Sequence, residues 1–489
     1  MTRDNDDVML PSLLERESRG GDIGEGGITF QASVVLASVP KWLAREGFTA
    51  LLREGMGDAE AKFFIPEHGY AKEFVEVKDH PMAPAEFWQE IDRFRAMDAG
   101  GDGEYRWFTL ACTGLSAALH PLKNGLRRIR GPQGFYEEGS PIASNSYEGY
   151  ARIVEDLEHT REEAAFLYEK VDLVDDLSLN RSHGQALFKE AMREHLGDYA
   201  DATDRALGDI YADLNILLQS NRNTTIPRLA IERVLRQRLP DHARPAIAPV
   251  HILTTTTVGE AEGDQHALRF DWHEFFGGND RSYPPPEAWE GRMLGELRQT
   301  KSWLRQHRQV NRIRLTGNRR LSASLACGWA FSAVAGFAID VEQRAEVWPT
   351  DDHASPDTPP YTLRPSGSMP GLTGDRLIVS LGIIREIDKE VEAHLARVGD
   401  RDLPTLHLWG AAPVVSASQA NLIVRDVKNA LSDALVSTGA RQIDLYFAGP
   451  AALAVFLGHR LNATAPIRCH ERIGVGHYLP TCVLTPVSA

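Results

Sequence analysis

Cysteine is scarce. Cys112, Cys327, Cys469 and Cys482 are the only four in 489 residues, and they form no CxxC pair and no zinc-ligand spacing. Neither a disulfide framework nor a zinc site is expected, and Cys112 and Cys327 read as small buried hydrophobes in apolar surroundings. No apolar run reaches the ~18 residues a membrane helix needs. The opening Met1-Thr2-Arg3-Asp4-Asn5-Asp6-Asp7 lacks the apolar core of a signal peptide, so a cytoplasmic protein without membrane contact is expected. Basic charge is short as well: 53 Lys+Arg against 68 Asp+Glu leave −15. That balance argues against general affinity for nucleic acid, but an enzyme acting on nucleic acid needs only a local basic surface. Two such segments exist. One holds Lys123, Arg127, Arg128 and Arg130, and the other carries eight Lys/Arg from Arg298 to Arg320 with no acid between them.

A chain of this length exceeds one hydrophobic core, and two or three α/β domains are expected. Residues 43 % hydrophobic and 25 % charged suit a globular protein. From about Tyr147 to Leu239 the pattern is helical and charged, with Asp172–Asp176 reading as a solvated helix end and a further helix over Ile226–Leu239. Three prolines between Leu239 and Pro249 mark a linker. The expected division is therefore 1–239, a linker at 240–249, and 250–489.

In the first part, Ala59–Ile65 and Lys72–Lys78 are β-prone runs flanking Pro66-Glu67-His68-Gly69-Tyr70, a hairpin pattern. Glu76 and Lys78 then share one face, and Asp58, just before the first strand, can reach the same place. Phosphodiester hydrolysis requires carboxylates that hold Mg²⁺ and a cation near the attacking water. Asp58, Glu76 and Lys78 supply those parts, Asp58 and Glu76 as metal ligands. Glu-x-Lys on a solvated strand is also an ordinary surface ion pair, so the neighbouring elements decide. A Gly-rich segment, Gly20-Gly21-Asp22 to Gly26-Gly27-Ile28-Thr29-Phe30-Gln31, leads into a helix. The hairpin is followed by a helix around Pro84–Arg95 and a strand over Trp107–Cys112.

Helix, hairpin with acid-x-Lys, helix, strand resembles the PD-(D/E)xK restriction-endonuclease core. With the glycine pattern it is similar to the double-strand DNA endonuclease domains of bacterial antiphage CBASS effectors. The resemblance implies Mg²⁺-dependent cleavage of double-stranded DNA by Asp58, Glu76 and Lys78, with Glu60 and Gln31 as further catalytic candidates. Whether Asp58 or Glu60 is the second metal ligand stays open. Lys123, Arg127, Arg128 and Arg130 follow this core and are expected to meet DNA phosphates.

The second part repeats itself. At an offset of 130, Leu315 matches Leu445, Gly328 matches Gly458, Phe331 matches Leu461, Phe337 matches Ile467 and Trp348 matches Tyr478. Each unit reads strand, small turn, Ala-rich helix, strand, with further strands and helices between the units. Two Rossmann-like halves with parallel sheets are expected, binding ligand at the strands' carboxyl ends. Arg319 and Arg320 at a helix start oppose the helix dipole, a conflict that an anionic ligand would reconcile.

Leu315-Thr316-Gly317-Asn318-Arg319-Arg320, Ile378–Leu381 and the Ala448-Gly449-Pro450 run up to Gly458 resemble the SAVED domain, two fused CARF-like units. The resemblance implies binding of a cyclic di- or trinucleotide and self-association on binding. Candidate contacts are Thr316, Gly317, Asn318, Arg319, Arg320, Ser380, Leu381, Trp409, Gly410, Ala448, Gly449 and Pro450. The expected protein is a DNA endonuclease licensed by a cyclic oligonucleotide. A nuclease acting on RNA or modified DNA, and a non-catalytic nucleotide receptor, are the alternatives.

Overall fold

The computed structural model describes residues 25–131, 135–136, 140–178, 180–239, 247–257, 266–278, 282–367 and 374–486. The Gly-rich segment before Glu25 and linker residues 240–246 lie outside them. Two compact units meet in sequence at Ala246/Ile247, inside the expected linker.

The first unit runs α1 (Glu25–Ala44), β1 (Phe48–Arg53), β2 (Ala59–Ile65), β3 (Gly69–Met82), α2 (Pro84–Gly100), β4 (Tyr105–Leu115), α3 (His120–Arg130), α4 (Pro141–Asp156), α5 (Arg161–Lys170), β5 (Val171–Val174), α6 (Arg181–His195), α7 (Asp204–Ser220), β6 (Thr225–Pro227) and α8 (Arg228–Gln237). One six-stranded sheet, ordered β5-β4-β3-β2-β1-β6, is its spine. β1, β2 and β3 form an antiparallel meander, and β4 and β5 continue parallel to β3. The hairpin keeps its register through Glu60 opposite Phe74 and Ala59 opposite Val75.

Period-two alternation on β3 splits the unit into two cores. Val75 and Val77 pack with α1, α6 and α7, whereas Phe74 and Met82 pack with Phe87, Ile91 and Phe94 of α2. Glu76 and Lys78 therefore project toward α2. The region expected to be a helical block differs in two respects. It begins at Pro141, and its strands β5 and β6 complete both edges of the sheet. Asp172 lies in β5 rather than at a helix end; hydrogen bonds to β4 outweigh the local charge pattern. Ile226, expected in a helix, lies in β6.

The second unit holds β7 (Val250–Thr255), β8 (Leu268–Asp271), α9 (Pro286–Ala288), α10 (Leu294–Trp303), β9 (Arg312–Gly317), α11 (Leu321–Ala330), β10 (Ala338–Gln343), β11 (Glu346–Pro349), β12 (Arg364–Ser366), β13 (Arg376–Ile383), α12 (Asp388–Val398), β14 (Thr405–Gly410), α13 (Ala417–Thr438), β15 (Gln442–Ala448), α14 (Ala451–Leu461), β16 (Ile467–Gly474) and β17 (His477–Leu484). Its sheets are ordered β11-β10-β9-β7-β8 and β12-β14-β13-β15-β16-β17, each with a parallel interior. The repeat is structural: β9–α11–β10 and β15–α14–β16 start 130 residues apart at Arg312/Gln442 and Leu321/Ala451.

The repeated glycines explain why. A Cβ on Gly328 would sit 2.0 Å from the Val455 carbonyl oxygen, and one on Gly458 would sit 2.1 Å from that of Leu325. Residues 325 and 455 are also 130 apart, so α11 and α14 cross backbone to backbone about a pseudo-two-fold. Each helix also reaches across, α11 to β16 and β17 and α14 to β10. Each glycine stands seven residues into its helix (328 − 321 and 458 − 451), about 10 Å along the axis. The two helix N-termini are thus held within about 20 Å of each other. All four cysteines are buried free thiols. Among the described residues no helix is long and apolar enough to cross a membrane.

Gly328→Ala and Gly458→Ala should each destabilise the protein by the upper end of the roughly 1–3 kcal/mol typical of overpacking, because the clash is with backbone. Denaturant unfolding checks this, and a loss no larger than that of Ala396→Val, on α12, would refute it. His459 beside the crossing donates from Nε2 to the Phe337 carbonyl at 2.8 Å, and burial pushes its imidazole down to about 4. Between its ordinary value and that one, only the unfolded chain takes up the proton, so this contribution to stability is lost as pH falls through that window. His459→Gln should therefore lose less stability than wild type between neutral pH and about pH 4, measured as melting temperature against pH.

Candidate functional site

The bend between β1 and β2 is built to bring a carboxylate against β3. Glu54 takes φ 58°, its N–H bonds the Asp58 carbonyl at 3.1 Å, and Glu60 Oε1 accepts from the Met56 N–H at 3.0 Å. A Cβ on Gly57 would lie 2.2 Å from the Phe74 ring and 2.9 Å from Glu76 Oε2, so only glycine lets the bend approach this closely. Asp58 Oδ2 then accepts from the Val77 N–H at 2.7 Å. Asp58 and Glu76 are thereby fixed side by side by backbone.

Two residues of α2 complete the cluster, and neither stood out in the sequence. Lys78 Nζ lies 3.1 Å from Glu76 Oε1 and 2.6 Å from Glu90 Oε1. Arg93 Nη1 lies 3.2 Å from Glu76 Oε2 and 3.1 Å from Glu90 Oε2. A signal was present: Glu90 and Arg93 interrupt an otherwise apolar stripe of Phe87, Ile91 and Phe94 on a helix that buries this face.

Three carboxylates and two cations leave an excess negative charge in a buried place. Burial first, and then the Glu76 charge, lift Asp58 to about 8 despite its backbone hydrogen bond. Burial also raises Glu76, with Lys78 and Arg93 opposing. Burial works against the Lys78 ammonium, but Glu76 and Glu90 outweigh it and keep its pKa above that of an ordinary lysine. Two adjacent carboxylates repelling each other in low dielectric are stabilised by a cation between them.

The donor set fits Mg²⁺. Glu76 Oε2 is buried, with the Arg93 guanidinium 3.2 Å away as its cationic neighbour. No group of three or more His, Cys, Asp or Glu gathers as a metal cage among them. Mg²⁺ is commonly held by one or two carboxylates, with waters and substrate phosphate filling the remaining positions. Glu60 is 8 % exposed and shares the Glu76 face, but its Oε1 closes the bend. Gln31 lies on α1, which packs on the opposite face from Glu76 and Lys78.

Of the basic cluster, Arg127 and Arg128 are exposed on α3 and pair with no carboxylate among the described residues. Lys123 is taken by Asp175 and by Asp176 at 3.3 Å. Arg130 donates to the Leu167 and Tyr168 carbonyls, each at 2.6 Å, and burial lowers its pKa. These two side chains hold α3 to its neighbours, which corrects the expectation of four equivalent phosphate contacts.

In the second unit, the expected ligand residues fall into two groups. Thr316, Gly317, Asn318, Arg319 and Arg320 make the β9–α11 turn, with Gly317 at φ 80°. Arg319 folds back, its Nη1 donating to the Thr316 carbonyl at 2.7 Å, the Gly317 carbonyl at 3.0 Å and Thr254 Oγ1 at 3.1 Å. Its Nε is buried without a hydrogen-bond partner among the described residues. Arg320 lies between the Phe276 and Tyr283 rings, at 4.3 and 4.1 Å from their centroids. The conflict with the α11 dipole is resolved internally, because the buried Glu471 of β16 accepts from the Ser322 N–H at 2.7 Å. The anion expected from a ligand at that helix start is a side chain of the opposite repeat. Glu471 shares the inward register of Ile467 and Cys469 on β16, a signal legible only once that strand is aligned.

Trp409, Gly382 and Ala448 lie abreast on β14, β13 and β15, and Gly410, Gly449 and Pro450 follow them at the same carboxyl end. The ring of Tyr361 covers Gly410, where a Cβ would lie 2.3 Å from its hydroxyl oxygen. Neither Arg320 before α11 nor Pro450 before α14 caps its helix with its own side chain, but α11 has Glu471 in that role. Ser380 and Leu381 are interior: Ser380 is 2 % exposed and its Oγ lies 2.6 Å from His407 Nδ1. β13 runs on to Ile383, so its carboxyl end lies beyond the residues expected there.

The model of the SMODS-associated and fused to various effectors sensor domain, SAVED, matches residues 296–484. Over its length the chain is similar to CD-NTase-associated protein 4 of Moraxella osloensis, 26 % identical across 97 % of this chain and 100 % of that one. The corresponding protein of Acinetobacter sp. (strain ATCC 27244 / 9458) is 25 % identical over the same shares. The fold is shared with a Cap4 SAVED/CARF-domain containing receptor of Acinetobacter baumannii solved with the cyclic trinucleotide 3'3'3'-cAAA. That match has a TM-score of 0.81 and 22 % identity over 95 % of this chain and 100 % of that chain. The Moraxella osloensis Cap4 receptor matches at a TM-score of 0.75 and 23 % identity over the same shares. Residues 296–484 thus match a SAVED sensor domain, and over nearly its whole length the chain is similar to the two CD-NTase-associated proteins 4.

Proposed function

We propose that this protein is a cytoplasmic antiphage effector that binds a cyclic oligonucleotide through its SAVED half and then cuts double-stranded DNA with Mg²⁺ in its first unit. The observation that carries the nuclease reading is the convergence of half-buried Asp58, from the bend before β2, on Glu76 and Lys78 of one face of β3. Asp58 and Glu76 would hold the metal, whose contribution is to polarise a phosphoryl oxygen and lower the pKa of a bound water. Lys78, kept cationic by Glu76 and Glu90, is placed to orient the attacking water and to offset charge on the phosphate. Glu90 and Arg93 set where that ammonium stands. Arg127 and Arg128 lie on an element that packs on the same face of the sheet as α2, which supports their contact with the DNA backbone.

For the sensor half, the cyclic trinucleotide named for the Acinetobacter baumannii receptor is the ligand of choice. Its phosphates fit the open start of α14 at Ala448-Gly449-Pro450 better than the start of α11, which Glu471 occupies. Ligand-driven self-association of SAVED domains would couple binding to cleavage and keep the free enzyme quiet.

Plasmid degradation by the full chain with Mg²⁺ and 3'3'3'-cAAA, beside matched RNA, tests the reading. Lys78→Ala should abolish DNA cleavage while calorimetric affinity for the trinucleotide stays at the wild-type value, and EDTA should reproduce the loss. Cleavage near the wild-type rate would remove the hairpin from the active site, and RNA cleavage alone would shift the substrate class.

Neutralising Arg127 and Arg128 together should weaken DNA binding alike across sequences. It should also flatten the log–log salt dependence by roughly one unit for each DNA phosphate that is no longer neutralised. Filter binding over a salt series reads the slope, and an unchanged slope would leave these arginines without a DNA role.

A further inference from the structure

The second unit has a basic cleft at the end opposite the strand carboxyl termini. α14 starts at Pro450, and Arg460 stands in its last turn, nine residues after Ala451 (460 − 451), or about 14 Å along the axis. There Arg460, the middle of α13 and the residues after β11 enclose a cleft of about 320 Å³. Arg425, Lys428 and Arg460 line it beside the His353 imidazole, with no acid among the lining residues, in a chain whose formal charge is −15.

The walls are tied together. Asn421 Nδ2 donates to the Thr350 carbonyl at 3.2 Å and the Asp352 carbonyl at 2.8 Å. Arg460 Nη2 donates to the same Thr350 carbonyl at 3.0 Å. Of the acids that flank the lining residues along the chain, Asp351 is engaged by Arg312 Nη1 at 2.8 Å, and Asp352 is exposed. Arg425 meets only its neighbour Asp426, Nη2 to Oδ1 at 3.1 Å, and Lys428 makes no ion pair among the described residues.

Arg460 has an ordinary structural reason, since a cation suits the C-terminus of α14. Arg425 has only its exposed pair with Asp426, and Lys428 has no ion pair among the described residues. They stand in the middle of α13, in line with Asn421 at i, i+4 and i+7, on one face. Like charges three apart on a helix repel, and an anion in the cleft turns that repulsion into attraction. Two guanidinium groups, one ammonium and an imidazole around such a volume suit a phosphate group, which guanidinium binds in bidentate fashion. The buried Val424 below them offers an apolar floor for the group that the phosphate carries.

We infer that this cleft is a second anion site of the sensor half, separate from the strand carboxyl ends, and that it takes a phosphate ester. A free nucleotide and the backbone of nucleic acid present the same chemistry, and the experiment separates them. The full chain would be titrated calorimetrically with pyrophosphate, with ATP and with a short DNA duplex, as wild type and as Arg425→Ala/Lys428→Glu. Arg425 is exposed and Lys428 half-buried, and equal melting temperatures would establish that the variant is folded.

Loss of pyrophosphate and ATP affinity by at least ~tenfold, with duplex binding unchanged, identifies a free nucleotide as occupant. A parallel loss for the duplex identifies the nucleic-acid backbone, and either result sustains the site. Equal affinities in the two proteins for all three probes, or no binding by wild type at millimolar concentration, overturn it. So does displacement of pyrophosphate by 3'3'3'-cAAA in wild type, because one shared site would then serve both. None of these readouts uses DNA cleavage, so the outcome stands apart from the nuclease reading.

Discussion

Two helix backbones in contact at Gly328 and Gly458 set the geometry of the whole second unit. With axes that close, no side chain separates α11 from α14, and each Cβ-free position admits a carbonyl oxygen of the other helix. The strands that feed these helices are drawn together in consequence, β9 from one repeat and β15 from the other. Their carboxyl ends, where doubly wound sheets bind ligands, follow from where the helices cross. Trp329 and His459, the residues after the two glycines, are again 130 apart. The pseudo-two-fold is thus enforced at the level of single residues.

This constraint is also why the second unit could be read from sequence. A backbone contact admits glycine alone, so its two halves remain visible as a fixed offset even where the surrounding side chains differ. The β2–β3 hairpin was legible for a comparable reason, since Pro66 and Gly69 punctuate two runs of alternating residues. β1, β5 and β6 were not legible. They are short or fully covered, and their strand character comes from hydrogen bonds to a distant neighbour rather than from local pattern. Helical propensity around Tyr147–Leu239 is real, but sheet edges need covering, and β5 and β6 do so from within it.

Asp58, Glu76 and Lys78 could be grouped in advance because they are close in sequence. Glu90 and Arg93 reach them from α2, a relation that exists only after the helix has packed on Phe74. The same limit applied to charge. Lys123 and Arg130 look like free cations in the sequence, but the structure spends them on Asp175 and on the carbonyl ends of α5. Arg319 is likewise turned toward its own backbone. A basic run therefore overstates the cation available to a ligand: of Lys123, Arg127, Arg128 and Arg130, Arg127 and Arg128 remain without a carboxylate partner among the described residues.

Glu471 has a consequence best expressed as effective concentration. A carboxylate delivered by the adjoining strand to the start of α11 competes there with any anion from solution as though present at millimolar level or above. Ordinary phosphate compounds in the surrounding medium are thereby kept off that helix without a gate or a moving part. The two ends of a near-symmetric sensor then differ in what they perceive. The start of α11 is saturated by the protein itself, whereas the start of α14 has no such carboxylate among the described residues.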